Sequence, residues 1–271
     1  MRITGDNKVI LITGASSGIG WATAKLAGKK GYHLMLTGRR EERLRQLQAE
    51  IYQDGGKAEY CTADLNALEQ IEMLVQESLG HFGRIDVLIN NAGFGRLKWL
   101  EELNMEKDIA QQIQVNLTAC IQLTRAVLPS MIARKSGHII SVISIAGLIG
   151  TPKYSVYAAS KFGLRGFSEA LRREVASDNI RVSAIYPGGV ETEFAEHAGL
   201  DHRTGIRTPR WMRLEAEQVG KAILHLVEHP RRQVILPGVM AYLVWINQVF
   251  PGLADFVLQR FYTAREKIIS K

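Results

Sequence analysis

Tyr157 and Lys161 stand four residues apart in the run Tyr157-Ala158-Ala159-Ser160-Lys161, which reads as helix. Residues at i and i+4 lie one turn apart on the same helix face, with Cβ atoms about 5–6 Å apart. The spacing therefore sets a phenol beside an ammonium. A free tyrosine has a pKa of about 10 and exchanges protons poorly near neutrality. A fixed cation favours the phenolate and lowers that value, which tunes the phenol toward general acid–base work. The same spacing occurs on solvated helix faces, so the pair takes its meaning from the elements that would position it.

The first of these elements is Val9-Ile10-Leu11-Ile12, a continuous apolar run of the kind that forms a strand buried on both faces of a parallel sheet. It leads into Thr13-Gly14-Ala15-Ser16-Ser17-Gly18-Ile19-Gly20 and a helix over about 21–30. Strand, glycine-rich turn and helix N-terminus present backbone N–H groups to a pyrophosphate, and glycine lets the backbone approach without a Cβ in the way. The spacing is G-x-x-x-G-x-G, not the general G-x-G-x-x-G, and a purely structural turn is the alternative.

A second strand, 33–37, ends in Gly38-Arg39-Arg40, where an NAD-binding chain carries an acid for the ribose 2′-hydroxyl. No acid occupies 36–40. A guanidinium matches a phosphate in shape and charge, so Arg39 and Arg40 favour NADP(H) over NAD(H), each such contact being worth about 1.5–3 kcal/mol. Alternatively, both arginines simply open the charge-rich helix 41–54. A third strand, 57–62, precedes Asp64-Leu65. Asp64 either holds an adenine amino group or caps a helix starting near Asn66.

The pattern then repeats. Strand 85–89 ends in Asn90-Asn91-Ala92-Gly93, and a long helix, 108–134, carries Asn116 among Ile113, Val115 and Leu117. A buried amide there requires partners. Strand 138–143 ends in Ser144-Ile145-Ala146-Gly147, and the helix carrying Tyr157 and Lys161 starts near 152–155. Strand 181–186 ends in Pro187-Gly188-Gly189. Segment 190–211 lacks a clean period and reads as a lid or specificity segment. Helix 215–228 and strand 233–236 follow. In an open α/β sheet all the strand ends face one ligand crevice.

Composition is compatible with this. The chain has 271 residues, 46% hydrophobic and 23% charged, enough for one large α/β domain. Net charge is 34 − 27 = +7, yet no basic run exceeds a dipeptide, and nothing points to nucleic acid. The charge reads as a solvated basic surface or as suited to a phosphate-rich cofactor or anionic lipid. Cys61 and Cys120 form no Cys-x-x-Cys motif and read as packed thiols in a reducing compartment. With no signal-like N-terminus and no 20-residue apolar run, the expectation is a cytoplasmic protein, with peripheral membrane contact left open. No metal-ligand pattern is present in the sequence.

Taken together, Thr13-Gly14-x-x-x-Gly18-x-Gly20, Asp64, Asn90-Asn91-Ala92-Gly93, Asn116, Ser144, Tyr157-x-x-x-Lys161 and Pro187-Gly188 resemble the short-chain dehydrogenase/reductase family over roughly 8–236. The resemblance implies a Rossmann-type, doubly wound, seven-stranded parallel sheet of order 3-2-1-4-5-6-7 with helices on both faces. It implies Tyr157 as catalytic acid–base, Ser144 as donor to the substrate oxygen, Lys161 on the nicotinamide ribose and lowering the Tyr157 pKa, and Asn116 holding a water between Lys161 and solvent. NADP(H) would be held by Gly14, Ser16, Ser17, Gly18, Ile19, Gly20, Arg39, Arg40, Asp64, Leu65, Asn91, Ala92, Gly93, Tyr157, Lys161, Pro187, Gly188, Val190 and Thr192. Tyr154 and Ser141 receive no role.

The chain departs from the family at its end. Many members stop soon after the last strand, with a tail that supports a tetramer. Here 237–271 continues as an apolar, helical extension expected to pack on the catalytic domain 1–236. It resembles tails of members acting on steroid-like or long-chain oxo-acyl compounds. Phe250, Leu253, Phe256, Val257 and Phe261 would form one apolar face, with Arg260, Arg265 and Lys267 near it. That face would cover the pocket, form a homodimer or meet a membrane. The expected function is interconversion of a ketone and a secondary alcohol; the alternative is a silent NADP(H)-binding regulator or scaffold.

Overall fold

The structure, a computed structural model, describes residues 7–194, 198, 209 and 212–269, with side chains as far as 260. Seven strands form one sheet: β1 (Val9–Thr13), β2 (His33–Gly38), β3 (Lys57–Thr62), β4 (Val87–Asn90), β5 (Gly137–Val142), β6 (Ile180–Pro187) and β7 (Gln233–Leu236). All pair in parallel, in the order β3-β2-β1-β4-β5-β6-β7. The helices are α1 (Gly18–Lys29), α2 (Glu41–Gln53), α3 (Leu68–Phe82), α4 (Ala119–Arg134), α5 (Ser155–Glu174), α6 (Ala216–Glu228), α7 (Met240–Val249) and α8 (Pro251–Ile269).

Alternation along β1 divides the core into two layers. Ile10 and Ile12 point to a layer shared with α1, α2 and α6, through Ala24, Leu47 and Ile223. Leu11 points to a layer shared with α3, α4 and α5, through Leu74, Leu123 and Leu171. Burial on both faces is why β1 reads as an unbroken apolar run. The reversal of strand order at β1 and β4 opens a crevice beyond their carboxyl ends.

Some boundaries differ from those read in the sequence. Helix α1 starts at Gly18, because Ser17 already occupies the N-cap position in extended conformation. The expected helix 108–134 is regular only from Ala119; it is preceded by π-helical segments Met105–Ala110 and Gln114–Thr118. A π-turn adds a residue without disturbing the apolar pattern enough to be legible, and such turns collect at functional sites.

The C-terminal extension packs only in part. In α7, Val244 is buried beside Leu148 and Tyr186. Helix α8 then turns away at 114°, and among its described side chains only Ala254 and Leu258 are half-buried. No single helix among the described residues is long and apolar enough to cross a membrane. Beyond Phe194 the expected lid 190–211 lies outside the described residues, apart from 198 and 209.

Candidate active site

Tyr157 and Lys161 lie in the first two turns of α5, both buried. The Lys161 Nζ is 5.7 Å from the centre of the Tyr157 ring and donates to the Val142 carbonyl oxygen at 3.2 Å. Two residues past Val142, Ser144 has φ 141° and ψ 158°. A residue with a Cβ is strained there by about 1–3 kcal/mol. The strained turn sets the Ser144 hydroxyl near enough to the Tyr157 phenol to favour its ionisation, while its Oγ accepts from the Ala146 N–H at 3.2 Å.

Electrostatics here differ from the sequence expectation. Burial pushes the Tyr157 phenol above its ordinary pKa, and the Ser144 hydroxyl only partly opposes it. The expected lowering by Lys161 does not prevail, because desolvation of a buried phenolate outweighs an ammonium lying over the ring. Burial pushes Lys161 itself down to about 8.

Asn116, buried in the second π-segment, is a clamp. Its Nδ2 donates to the Phe94 carbonyl at 2.8 Å and to Ser160 Oγ at 3.1 Å, and its Oδ1 accepts from the Phe94 N–H at 2.9 Å. Both amide donors are thus taken, and the side chain retains one acceptor lone pair for the water expected of it. Ser160 Oγ donates onward to the Tyr157 carbonyl at 2.7 Å, so the clamp ties loop 93–94 to α5. A Cβ on Gly93 would lie 3.0 Å from Asn116 Oδ1 and 3.3 Å from Lys161 Nζ. Only glycine leaves that space.

The glycine-rich turn is stitched to the β4 loop. Thr13 Oγ1 accepts from the N–H groups of Asn91 and Ala92, both at 2.9 Å, and Asn91 Nδ2 donates to the Thr13 and Gly14 carbonyls at 2.8 and 3.3 Å. The Asn91 side chain is therefore spent on the turn, and Thr13 organises both loops. Gly14 has φ +64° and a Cβ there would sit 2.9 Å from Ala92 Cα; a Cβ on Gly20 would sit 2.3 Å from the Gly14 oxygen. Ser17 makes no side-chain cap, and the first turn of α1, which includes Ile19, carries no acid. Uncapped N–H groups without a neighbouring carboxylate suit a pyrophosphate.

The remaining expected contacts surround this turn. Leu65 is buried in the α3–α4 layer, so its backbone alone remains to face a ligand. Asp64 Oδ1 accepts from the Asn66 N–H at 3.0 Å and Nδ2 at 2.8 Å, closing a local turn; the expected helix cap is not formed, because α3 starts only at Leu68, with Ala67 at its N-cap. Pro187 ends β6, Gly188 N–H donates to the Leu236 carbonyl at 2.7 Å, and Val190 pairs with Leu214 in a two-residue parallel bridge.

Three consecutive residues after that bridge cross the crevice. The Thr192 methyl lies where a Cβ on Gly18 would meet it at 3.1 Å. Glu193 pairs with Arg40 at 2.9 Å and with Arg43 at 3.7 Å, and Arg40 also donates to the Ser16 carbonyl at 3.1 Å. Phe194 places its ring 5.6 Å from that of Tyr157, whose other neighbour is Tyr154 at 6.3 Å. Arg39 is exposed and pairs with no carboxylate among the described residues. Glu193 and Phe194 escape sequence reading because their segment has no period. Tyr154, given no role, forms part of the apolar wall.

Residues 8–202 match the short chain dehydrogenase family. An uncharacterised oxidoreductase of Listeria innocua is 41% identical over 72% of this chain and 79% of its own. The 3-oxoacyl-[acyl-carrier-protein] reductase of Thermotoga maritima is 39% identical over 83% of this chain and 92% of its own. Among solved structures, a short-chain dehydrogenase from Sphingobium yanoikuyae in complex with NADPH superimposes with a TM-score of 0.78 at 30% identity, over 92% of this chain and 95% of that one.

Proposed function

Because the chain belongs to the short-chain dehydrogenase family, we propose that it is an NADP(H)-dependent oxidoreductase interconverting a ketone and a secondary alcohol on a bulky apolar substrate. The observation that carries this reading is the pair of hydroxyls, Ser144 near Tyr157, beside the buried ammonium of Lys161. A bound nicotinamide supplies the hydride to the carbonyl carbon. Ser144 and Tyr157 donate to the carbonyl oxygen, where negative charge grows. The Tyr157 proton then passes to that oxygen, leaving a phenolate and giving the alcohol. A phenol whose pKa is raised keeps its proton until the stronger alkoxide base forms. Lys161, over the ring, stabilises the phenolate that remains. The reverse direction runs the same groups backward.

For cofactor choice, Arg39 and Arg40 at the end of β2, with no acid in 36–40, support NADP(H). The Sphingobium enzyme's NADPH complex agrees with this. For substrate class, the surroundings of Tyr157 are apolar: Leu97, Ala146, Tyr154 and Phe194. The reaction named for the Thermotoga relative is in keeping with an oxo-acyl compound.

The test is a panel of ketones with NADPH, followed by loss of reduced-cofactor absorbance. Turnover that falls at least ~100-fold in Tyr157→Phe while NADPH still binds is the expected result. NADPH binding without turnover on any ketone overturns the proposal in favour of a cofactor-binding regulator.

A further inference from the structure

We propose that α7 and the first half of α8 form a hook that docks the protein on an anionic lipid bilayer. The inference stands apart from the assigned reaction. It begins with exposure: Tyr242 is 71% accessible, Trp245 56%, Leu253 56% and Phe256 63%. Soluble monomers rarely expose large contiguous apolar patches without a partner.

The sequence periodicity shows that this exposure is organised. Tyr242, Trp245 and Val249 fall at i, i+3 and i+7 on α7, opposed to the buried Val244. Leu253, Phe256 and Val257 fall at i, i+3 and i+4 on α8, and Arg260 extends the same stripe by one turn. Phe250 joins the two helices and meets the Trp245 ring edge-on at 6.2 Å. An amphipathic helix in a globular protein turns its apolar stripe toward the core. Both helices here turn theirs outward.

Chemistry selects the occupant. Between Glu228 and Asp255 the chain has no acid. Asp255 falls off the outward stripe, a little over half a turn (about 200°) from Leu253 by the 3.6-residue helical period. Residues 237–271 hold four basic groups, Arg260, Arg265, Lys267 and Lys271, against two acidic ones, Asp255 and Glu266. A second copy docked on the same face would oppose like charges, since a two-fold interface presents each patch to itself. An anionic bilayer opposes unlike ones. Tyr and Trp, apolar with one polar atom, suit the headgroup boundary, and Arg260 can lay its stem along the apolar face with its guanidinium among phosphates. No single described helix is long and apolar enough to cross; α7 and α8 meet the length and composition of a span only together, and they are bent by 114°.

The hook is rooted at the crevice. It follows β7 directly, and a Cβ on Gly188 would meet Met240 Cε at 3.4 Å. A bilayer held by the hook therefore lies at the end of the sheet that carries Tyr157.

The test uses the full chain and sucrose-loaded vesicles, either neutral phosphatidylcholine or phosphatidylcholine with phosphatidylglycerol, in co-sedimentation at low and high salt. Stronger partitioning onto the anionic vesicles is expected. Leu253→Glu with Phe256→Glu should lower it at least tenfold, with thermal stability and NADPH affinity unchanged because both side chains are exposed. Arg260→Glu should lower partitioning on anionic vesicles alone. A protein that ignores both vesicles, or a stable dimer in light scattering that dissociates with the double substitution, overturns the proposal.

Discussion

Replacing Lys161 by methionine should make the cofactor-free protein more stable while disabling it. The lysine is buried, and its one described hydrogen bond goes to Val142. Burial lowers its pKa from the ordinary 10.5 to about 8, which at 1.36 kcal/mol per pKa unit is ~3 kcal/mol of penalty on the charged form at pH 7. Methionine is one atom shorter, carries no charge and packs well. It forfeits the bond to Val142, so the net gain is about 1–2 kcal/mol, or a few degrees in Tm for a chain of this size. The pH dependence identifies the cause. Between about 8 and the ordinary 10.5, the unfolded chain holds the lysine proton and the folded one has released it. Wild-type stability from this group therefore rises through that window. The advantage of the variant should be full at pH 7 and shrink above pH 8. Thermal unfolding of both proteins at several pH values from 7 to 10 measures it. A variant no more stable than wild type at pH 7, or an advantage constant across that range, refutes the reasoning.

Three further outcomes follow from the same geometry. Ser144→Gly relieves the positive-φ strain but gives up the bond from the Ala146 N–H, so stability should stay within about 1 kcal/mol of wild type while kcat falls ~100- to 1,000-fold; a loss of more than about 2 kcal/mol would show the turn to be unstrained. Gly14→Ala forces a methyl 2.9 Å from Ala92 Cα at φ +64°, and should weaken NADPH binding at least tenfold in a fluorescence titration, with a lower Tm. Glu193→Gln frees Arg40 from an exposed ion pair and should tighten NADPH by no more than ~5-fold, less at high salt, leaving NADH unchanged; an equal effect on both nucleotides would remove Arg40 from the 2′-phosphate.

The sequence made the layered sheet legible because most of its strands are short apolar runs that end in small or polar residues. Which residues would gather at the crevice was legible for the same reason: they sit at strand ends. Their conformations were not. No pattern signals that Ser144 takes a backbone region shunned by residues with a Cβ. The π-turn around Asn116 is hidden by an apolar pattern compatible with an ordinary helix. The pKa of Tyr157 depends on how deeply α5 is buried, which spacing alone does not report. Glu193 and Phe194 acquire meaning only by crossing from one wall to the other.

That crossing has a consequence for binding. Thr192, Glu193 and Phe194 bear in turn on the phosphate turn, the arginine and the phenol. A dinucleotide lying along Gly14 to Gly18 would touch one end of this segment, and a ketone beside Tyr157 would touch the other. Each ligand should therefore alter the affinity of the other, and the Kd of NADPH measured with and without a ketone reads that coupling.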